Sequence, residues 1–307
     1  MLRALLGAVI VWGLAVGRLS PALALIAAAA AAGLLWLPLR HGHSHDDWTA
    51  IDYYALQSRL HSVPAGLKAL TALALIVLTL AARSPLVSLL VWVLTAAVTV
   101  LAGRTPARTW ARLFLTPLTF VLLSGLALLF DFAAVPGGVV SLPCFGAYLT
   151  IPAQAQTSTL VILTGAAASV SCLYALCLST PMPQLIAALG RVHVPELLIE
   201  LMYLIYRYIF VLSGTLSQMK IAAAARLGYG TTFRRSFTTT ASIMTSLLVS
   251  SFQRASASFD AMQSRCYEGK LRFLEQKSPL RAGHLGSAAV LVALPLAAAL
   301  LERMGRG

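Results

Sequence analysis

Long uninterrupted apolar runs dominate the hydrophobic pattern of this chain. They cover residues 4–16, 21–39, 63–82, 85–101, 113–130, 157–178 and 285–301. Several approach the roughly 20 residues that cross a hydrocarbon core as a helix. The first run is short and follows Arg3, as in a cleaved signal peptide. Only Gly17 to Ser20 separate it from the second run, which favours a transmembrane hairpin instead.

Two later segments mix apolar and polar residues at helical spacing. The pattern over 195–227 predicts a long helix that begins at Pro195, a position proline tolerates well. A second long helix is predicted over 233–266, with Thr231 or Thr232 as its N-cap. We therefore expect an all-α fold, a polytopic α-helical membrane protein that carries two long cytoplasmic helices.

Composition agrees with a membrane protein. Hydrophobic residues make up 59% of the chain and charged residues 11%, against about half and a quarter in soluble domains. The four cysteines have neither a metal-binding nor a redox spacing, so they are interpreted as small apolar packing residues.

The charges divide the chain into regions. Of 23 Lys and Arg, 12 lie in 181–283, whereas the loop 131–156 has none. Because cationic loops stay inside, the basic block is predicted to be cytoplasmic and the loop external. The C-terminus then lies outside with Arg303 and Arg306, which fits this rule poorly. The predicted regions are an N-terminal hairpin (1–45), a transmembrane core (46–180), the cytoplasmic helices (181–283) and a last transmembrane helix (284–307).

The basic block could contact anionic lipid, where each cation near the surface contributes about 1 kcal/mol. Nucleic acid is not expected as a partner, because the cations are interleaved with apolar residues at helical spacing instead of forming a stripe.

One nine-residue pattern ends each long helix. The stretches AAAARLGYG from Ala222 and AMQSRCYEG from Ala261 both carry alanine first, arginine fifth and glycine ninth. An arginine followed by glycine can simply close a helix. Two copies beside small residues instead favour docking on a partner with two equal halves, through the guanidinium fork. The candidate docking residues are Arg226 and Arg265 with Ala222, Ala225, Gly228, Ala261, Ser264 and Gly269.

A histidine-rich stretch follows the second apolar run. His41, His43 and His45 alternate with small residues and precede two aspartates. Neutral imidazole suits Co(II), Ni(II) or Zn(II). A solvated loop of this composition also binds metal weakly without a biological role. If the site is used, we expect a transient receiving site and not the transport site.

Several separated stretches carry a resemblance to a known family. They are Ile51, Asp52, Ala55, Ser58, Arg59 and Leu60; Pro64 and Lys68; Tyr206 and Arg207; Ala225 and Arg226; and Ala261, Met262, Arg265, Tyr267 and Gly269. In combination the chain resembles, over about 46–301, the transmembrane T component of energy-coupling factor transporters, most closely the cobalt/nickel type. Its signature residues would be Asp52, Ser58, Arg59, Pro64, Lys68 and Arg207.

The resemblance implies a scaffold and not an enzyme. Two cytoplasmic ATPase subunits would hold the arginine-ended coupling helices, and a separate membrane S component would bind cobalt or nickel. The chain contains no GxxxxGK[ST] phosphate loop, so ATP and Mg²⁺ would be bound by the partner subunits. The location implied is the inner membrane of a prokaryote, with the coupling region in the cytoplasm.

The chain departs from the family form Ala-Arg-Gly, because Leu227 and Cys266 follow the two arginines. Neither residue adopts positive φ as easily as glycine, so the exact helix-end geometry of the family does not follow from the resemblance.

Other functions stay open at this stage. A related T component could serve a vitamin transporter. A secondary transporter would need ionisable groups at mid-membrane and repeated halves, and neither is clear in this sequence. A membrane metal sensor or assembly factor would explain the histidines but not the paired arginines.

Overall fold

The computed structural model describes residues 2–15, 55–58, 60, 63–133, 141–144, 147–192, 194–229, 233–269 and 282–305. The second apolar run and the N-cap candidates Thr231 and Thr232 lie outside these residues. Contacts divide the chain into two compact units, Met1–Pro181 with Lys277–Gly307, and Met182–Gln276. Each unit is described by itself.

Helices form most of the described chain, as the sequence predicts. In chain order the elements are α1 (Leu2–Ala15), α2 (Ala65–Ala82), α3 (Pro85–Ala97, continued by a π-helical turn over Val98–Ala102), α4 (Ala107–Leu129), β1 (Asp131–Ala133), β2 (Ser141–Cys144), β3 (Ala147–Thr150), α5 (Ala153–Ser179), α6 (Met182–Leu189), a 3₁₀ turn (Gly190–Val192), α7 (Glu196–Ala225), α8 (Phe233–Gln263) and α9 (Ala282–Gly305).

Helix α5 is the centre of the first unit. It packs against α2, α3 and α4, while α9 packs against α2 and α3. The core cluster consists of Leu75, Val91, Ala168 and Cys172. Beside it, the hydroxyls of Thr95 on α3 and Ser171 on α5 lie 2.8 Å apart and form a buried hydrogen bond. Small side chains on α5 thus let its neighbours approach closely.

Glycine sets the spacing between α4 and α5. A Cβ added at Gly125 would lie 2.7 Å from Cδ2 of Leu163. The leucine therefore occupies the space that any other residue at position 125 would need.

The outer surface of the helices is apolar. Large side chains such as Leu70, Leu73 and Leu86 are more than 60% exposed, which suits contact with lipid. Six described helices are long and apolar enough to cross a bilayer: Ala65–Ala82, Pro85–Ala102, Ala107–Leu129, Gln154–Ser179, Glu196–Ala225 and Gly283–Gly305. The prediction of a polytopic helical membrane protein is confirmed. By length and composition α7 also qualifies as a span, which the sequence analysis did not anticipate.

A small sheet follows α4, in the loop that carries no basic residue. Strand β3 pairs antiparallel with both β1 and β2, in the order β1-β3-β2. Asp131 and Ser141 both face Thr150 in the two registers. The segment was predicted as an external loop, and its short strands were not predicted.

The second unit is built on a pair of long helices. Helix α6 lies against the start of α7, where the hydroxyl of Tyr203 donates a hydrogen bond to the carbonyl oxygen of Pro183 at 3.0 Å. Helices α7 and α8 contact each other and contain 30 and 31 residues. At about 1.5 Å per residue, each is roughly 45 Å long.

Candidate functional site

Helix α7 ends in a Schellman motif. The amide of Gly228 donates to the carbonyl of Ala223 at 2.8 Å, and the amide of Leu227 donates to that of Ala224 at 3.0 Å. These are the two hydrogen bonds that define the motif. Arg226 occupies the C-cap position with φ −89°, and Leu227 follows in the left-handed region with φ 54°.

The end of α8 repeats this arrangement. The amide of Tyr267 donates to the carbonyl of Met262 at 3.1 Å, and the amide of Cys266 donates to that of Gln263 at 3.0 Å. Cys266 has φ 58°. Arg265 therefore takes the same position in its motif as Arg226 does in the first.

Leucine and cysteine do not prevent the backbone conformation that glycine adopts most easily at a helix end. Leu227 and Cys266 both adopt the positive φ that glycine would take. The hydrogen bonds of the motif satisfy carbonyl groups that would otherwise lack a partner, which offsets the unfavourable backbone. The cost is about 1–2 kcal/mol for each residue.

Glycine is needed at two other places in the motifs. A Cβ on Gly228 would lie 2.9 Å from the carbonyl oxygen of Ala223 and 3.1 Å from Cγ2 of Thr239. Gly269 has φ 83°, with open space around it. The first glycine permits a close approach and the second permits a turn.

Both arginines lie on the surface of the second unit. Arg226 and Arg265 are exposed, as are Ala222, Ala225, Ala261 and Ser264. Neither guanidinium is paired with another side chain in the described part of the chain. The hydroxyl of Ser264 bonds its own helix, at the carbonyl of Asp260. The two guanidinium groups are therefore available to carboxylates or to helix C-termini of another protein.

Side chains tie the two helix ends to the opposite helix. Near the start of α8, the hydroxyl of Thr239 donates to the carbonyl oxygen of Gly228 at 2.7 Å. At the other extremity, the phenol of Tyr267 donates to the carboxylate of Glu200 at 3.0 Å. The two ties fix α7 and α8 as an antiparallel hairpin.

The hairpin holds the arginine ends far apart. Gly228 follows Glu200 by 28 residues, and Tyr267 follows Thr239 by 28 residues. The stretches of α7 and α8 between the two hydrogen bonds are therefore equally long, so the two helices stay in the same register from one hydrogen bond to the other. This length of helix corresponds to about 42 Å. The two arginine motifs thus lie at opposite extremities of the hairpin, roughly 40 Å from each other.

The hydrogen bond to Glu200 raises the pKa of Tyr267, because the neutral phenol is the form that donates to the carboxylate. Glu200 is buried, at 7% exposure. Sequence reasoning missed Glu200 and Thr239. A carboxylate inside the apolar pattern of α7 was the available signal for the first, and nothing distinguished the threonine.

The family-signature residues lie in two places. Ser58 is buried and accepts a hydrogen bond from the amide of Leu60 at 3.2 Å, and Pro64 directly precedes α2. The ammonium of Lys68 donates to the carbonyl oxygens of Leu60 at 3.0 Å and Ser179 at 2.7 Å. Lys68 thus joins the start of α2 to the end of α5. Arg207 lies exposed in the middle of α7.

Several predicted site residues are outside the described residues. These are Asp52, Arg59, His41, His43 and His45. Within the described residues, no group of three or more His, Cys, Asp or Glu side chains could hold a metal ion.

Comparisons with known proteins relate the chain to cobalt transport. The model of the CbiQ family, described as cobalt transport protein, matches residues 57–275. The cobalt transport protein CbiQ of Rhodobacter capsulatus is 31% identical over 82% of this chain and 98% of its own length. A fused protein of Methanocorpusculum labreanum named for cobalt transport, CbiMQ, is 29% identical over 78% of this chain but 40% of its own length. An uncharacterised protein of Methanocaldococcus jannaschii, MJ1089, is 26% identical over 73% of this chain and 83% of its length.

Proposed function

The chain belongs to the CbiQ family of cobalt transport proteins, and from this we propose that it is the transmembrane T component of an ATP-driven cobalt importer of the energy-coupling factor type. It is an integral membrane protein and a component of a cobalt transporter. The finer assignment rests above all on the two matching arginine motifs at opposite extremities of one hairpin.

Two matching docking points suit two ATPase subunits. Each arginine end presents an exposed guanidinium beside small residues, so a partner surface can approach closely. Since the ends are about 40 Å apart, one compact pocket cannot hold both. A pair of subunits can hold one each. ATP and Mg²⁺ belong to those subunits, and this chain has a non-catalytic role.

The side-chain ties supply a route for coupling. The hydrogen bonds of Thr239 and Tyr267 join α7 and α8 at each end of the hairpin. A displacement of one arginine-bearing helix end is therefore transmitted to the other helix. ATP-driven closure of the ATPase pair would therefore move α7 and α8 together. We place the coupling region, 181–283, in the cytoplasm of a prokaryotic cell because it carries 12 of the 23 Lys and Arg, although α7 is long and apolar enough to span a bilayer. The remaining long helices lie in the inner membrane.

The substrate-binding partner would be a separate membrane S component that holds the cobalt ion. The fused relative supports such a partner, since this chain accounts for only 40% of its length. The rest of that polypeptide is the natural candidate for a subunit that works beside this one. Cobalt is the cargo of this proposal, with nickel as the competing ion in uptake assays.

The test reverses both docking charges, in the double variant Arg226→Glu with Arg265→Glu. Removal of a buried interfacial charge costs about 2–5 kcal/mol, a loss of roughly 30-fold or more in affinity. The expected result is loss of the ATPase subunits in a detergent pull-down, and of cobalt uptake in reconstituted membranes. Each single reversal should weaken the complex less.

Arg254→Glu is the matched control, since Arg254 is an exposed arginine on α8 away from both ends. It should retain the ATPase subunits. If each arginine only caps its own helix, the double variant would lose about 0.3–1 kcal/mol of local stability and keep its partners. Normal recovery and normal uptake by the double variant would refute the assignment.

A further inference from the structure

A cavity of about 110 Å³ lies inside the first unit, between α2, α3, α5 and α9. It has room for about four water molecules, or for a group of similar size. Lys68 and His284 line it together with Ser179, Leu75 and Leu291. Lys68 is within the first turn of α2, Ser179 is the last residue of α5, and His284 is near the start of α9. The cavity is therefore at one end of the membrane-spanning helices.

The cavity is polar at its outer end and apolar deeper in the unit. Leu75 is seven residues beyond Lys68, Leu291 is seven beyond His284, and Cys172 is seven before Ser179. Seven residues of helix correspond to about 10 Å. Lys68 and His284 thus lie near the ends of their candidate spans, the part of a span closest to lipid headgroups, and Leu75, Leu291 and Cys172 lie about 10 Å closer to the middle.

Lys68 brings a positive charge to this cavity, and none of the described residues forms a salt bridge with it. Its ammonium has three N–H groups and donates to two carbonyl oxygens, those of Leu60 and Ser179. The C-terminal end of α5 offers about half a negative charge through its dipole. The described residues that line the cavity include no carboxylate. A cation near the hydrocarbon region without a full counter-charge is unfavourable.

His284 supplies a second polar group. Its Nδ1 atom is buried and makes no hydrogen bond to any residue that the structure describes. It stands in the first turn of α9, where the helix dipole favours negative charge. A water molecule could hydrogen-bond to Nδ1 but would not balance the charge of Lys68. An oxyanion can accept hydrogen bonds from both side chains and also supply the charge.

We propose that this cavity is a binding site for a phosphate oxyanion, held by Lys68 and His284. The phosphate belongs either to an anionic phospholipid, whose chain would follow the apolar wall towards Leu75 and Leu291, or to free inorganic phosphate. All residues of this site belong to the first unit, and neither Arg226 nor Arg265 is among them.

The test compares Lys68→Met and His284→Ala with wild type. Arg112→Met is the matched control, because Arg112 is an exposed cation near the start of α4 that does not line this cavity. Native mass spectrometry of the purified full chain would measure retention of phosphatidylglycerol against phosphatidylcholine. A thermal-shift titration with inorganic phosphate would test the free anion. His284→Ala leaves the carbonyl contacts of Lys68 intact, so the test does not depend on whether Lys68→Met folds well.

The expected result is that each cavity variant binds phosphatidylglycerol or phosphate about tenfold more weakly than wild type and the control do. Selective retention of the lipid that inorganic phosphate does not displace would support the lipid as source. Displacement by phosphate, or a shift with phosphate alone, would support a free-anion site. Equal retention of both lipids with no response to phosphate would refute the proposal, and so would selective binding that His284→Ala leaves unchanged.

Discussion

Glycine in place of Leu227 or Cys266 should stabilise the arginine-bearing helix ends. Both residues have positive φ in their motifs, which costs about 1–2 kcal/mol for a residue with a Cβ. Glycine removes that cost. It also increases the conformational entropy of the unfolded chain, which lowers the stability by about 0.4–1 kcal/mol. Leu227 is 78% exposed, so little packing is lost with its side chain. The net gain expected at each end is roughly 0.5–1 kcal/mol, a factor of about 2–5 in the local opening equilibrium.

Amide hydrogen exchange is the appropriate assay, because local opening exposes the amides that close the motif. In Leu227→Gly the Gly228 amide, bonded to Ala223, should exchange about 2–5 times more slowly than in wild type. The matched control is Leu227→Ala, which shortens the side chain but keeps the Cβ and therefore the backbone cost. Equal exchange rates in the glycine and alanine variants, or faster exchange with glycine, would refute this account of the helix end.

Three further predictions concern the contacts that hold each unit together. Tyr267→Phe removes the tie to Glu200, so the distance between spin labels at the two helix ends should become more broadly distributed. Tyr208→Phe on α7 should leave it unchanged. In wild type the phenol of Tyr267 should titrate above its ordinary pKa of 10.0. In Glu200→Gln most of this increase should be lost, because only the contribution of burial remains. Because the pKa is raised in the folded protein, the stabilisation is present below pH 10 and is lost as the pH rises further. Gly125→Leu should lower the free energy of unfolding, measured by thermal denaturation, by about 1–3 kcal/mol, because the new leucine side chain would collide with Leu163. Gly125→Ala should cost less, because the end of a leucine side chain can move, and equal stability of the two variants would contradict this packing.

Hydrophobic pattern was sufficient to predict most helices, because long apolar runs leave few alternatives in lipid. The two arginine-ended helices were also predicted, because apolar and polar residues alternate in them at helical spacing. The shared spacing of alanine, arginine and glycine marked their ends. These features depend on residues close together in the chain.

Contacts between distant residues could not be read in this way. The bond from Thr239 to Gly228 and the bond from Tyr267 to Glu200 depend on how two helices align. The left-handed backbone at Leu227 was expected to be disfavoured, because residue preference was considered without the hydrogen bonds that oppose it. The small sheet escaped prediction because its strands contain three or four residues each.

The equal lengths of the two helices between their hydrogen bonds fix the distance between the helix ends. An inserted residue within either helix would shift everything beyond it by about 1.5 Å and turn it by roughly 100°. Such a change would carry an arginine to another side of the helix and separate Thr239 or Tyr267 from its partner. Over the lineage of this protein, insertions and deletions should therefore collect in the connections and be excluded between Glu200 and Gly228 and between Thr239 and Tyr267. The distance between the two arginine-bearing helix ends is therefore set by the number of residues in each helix.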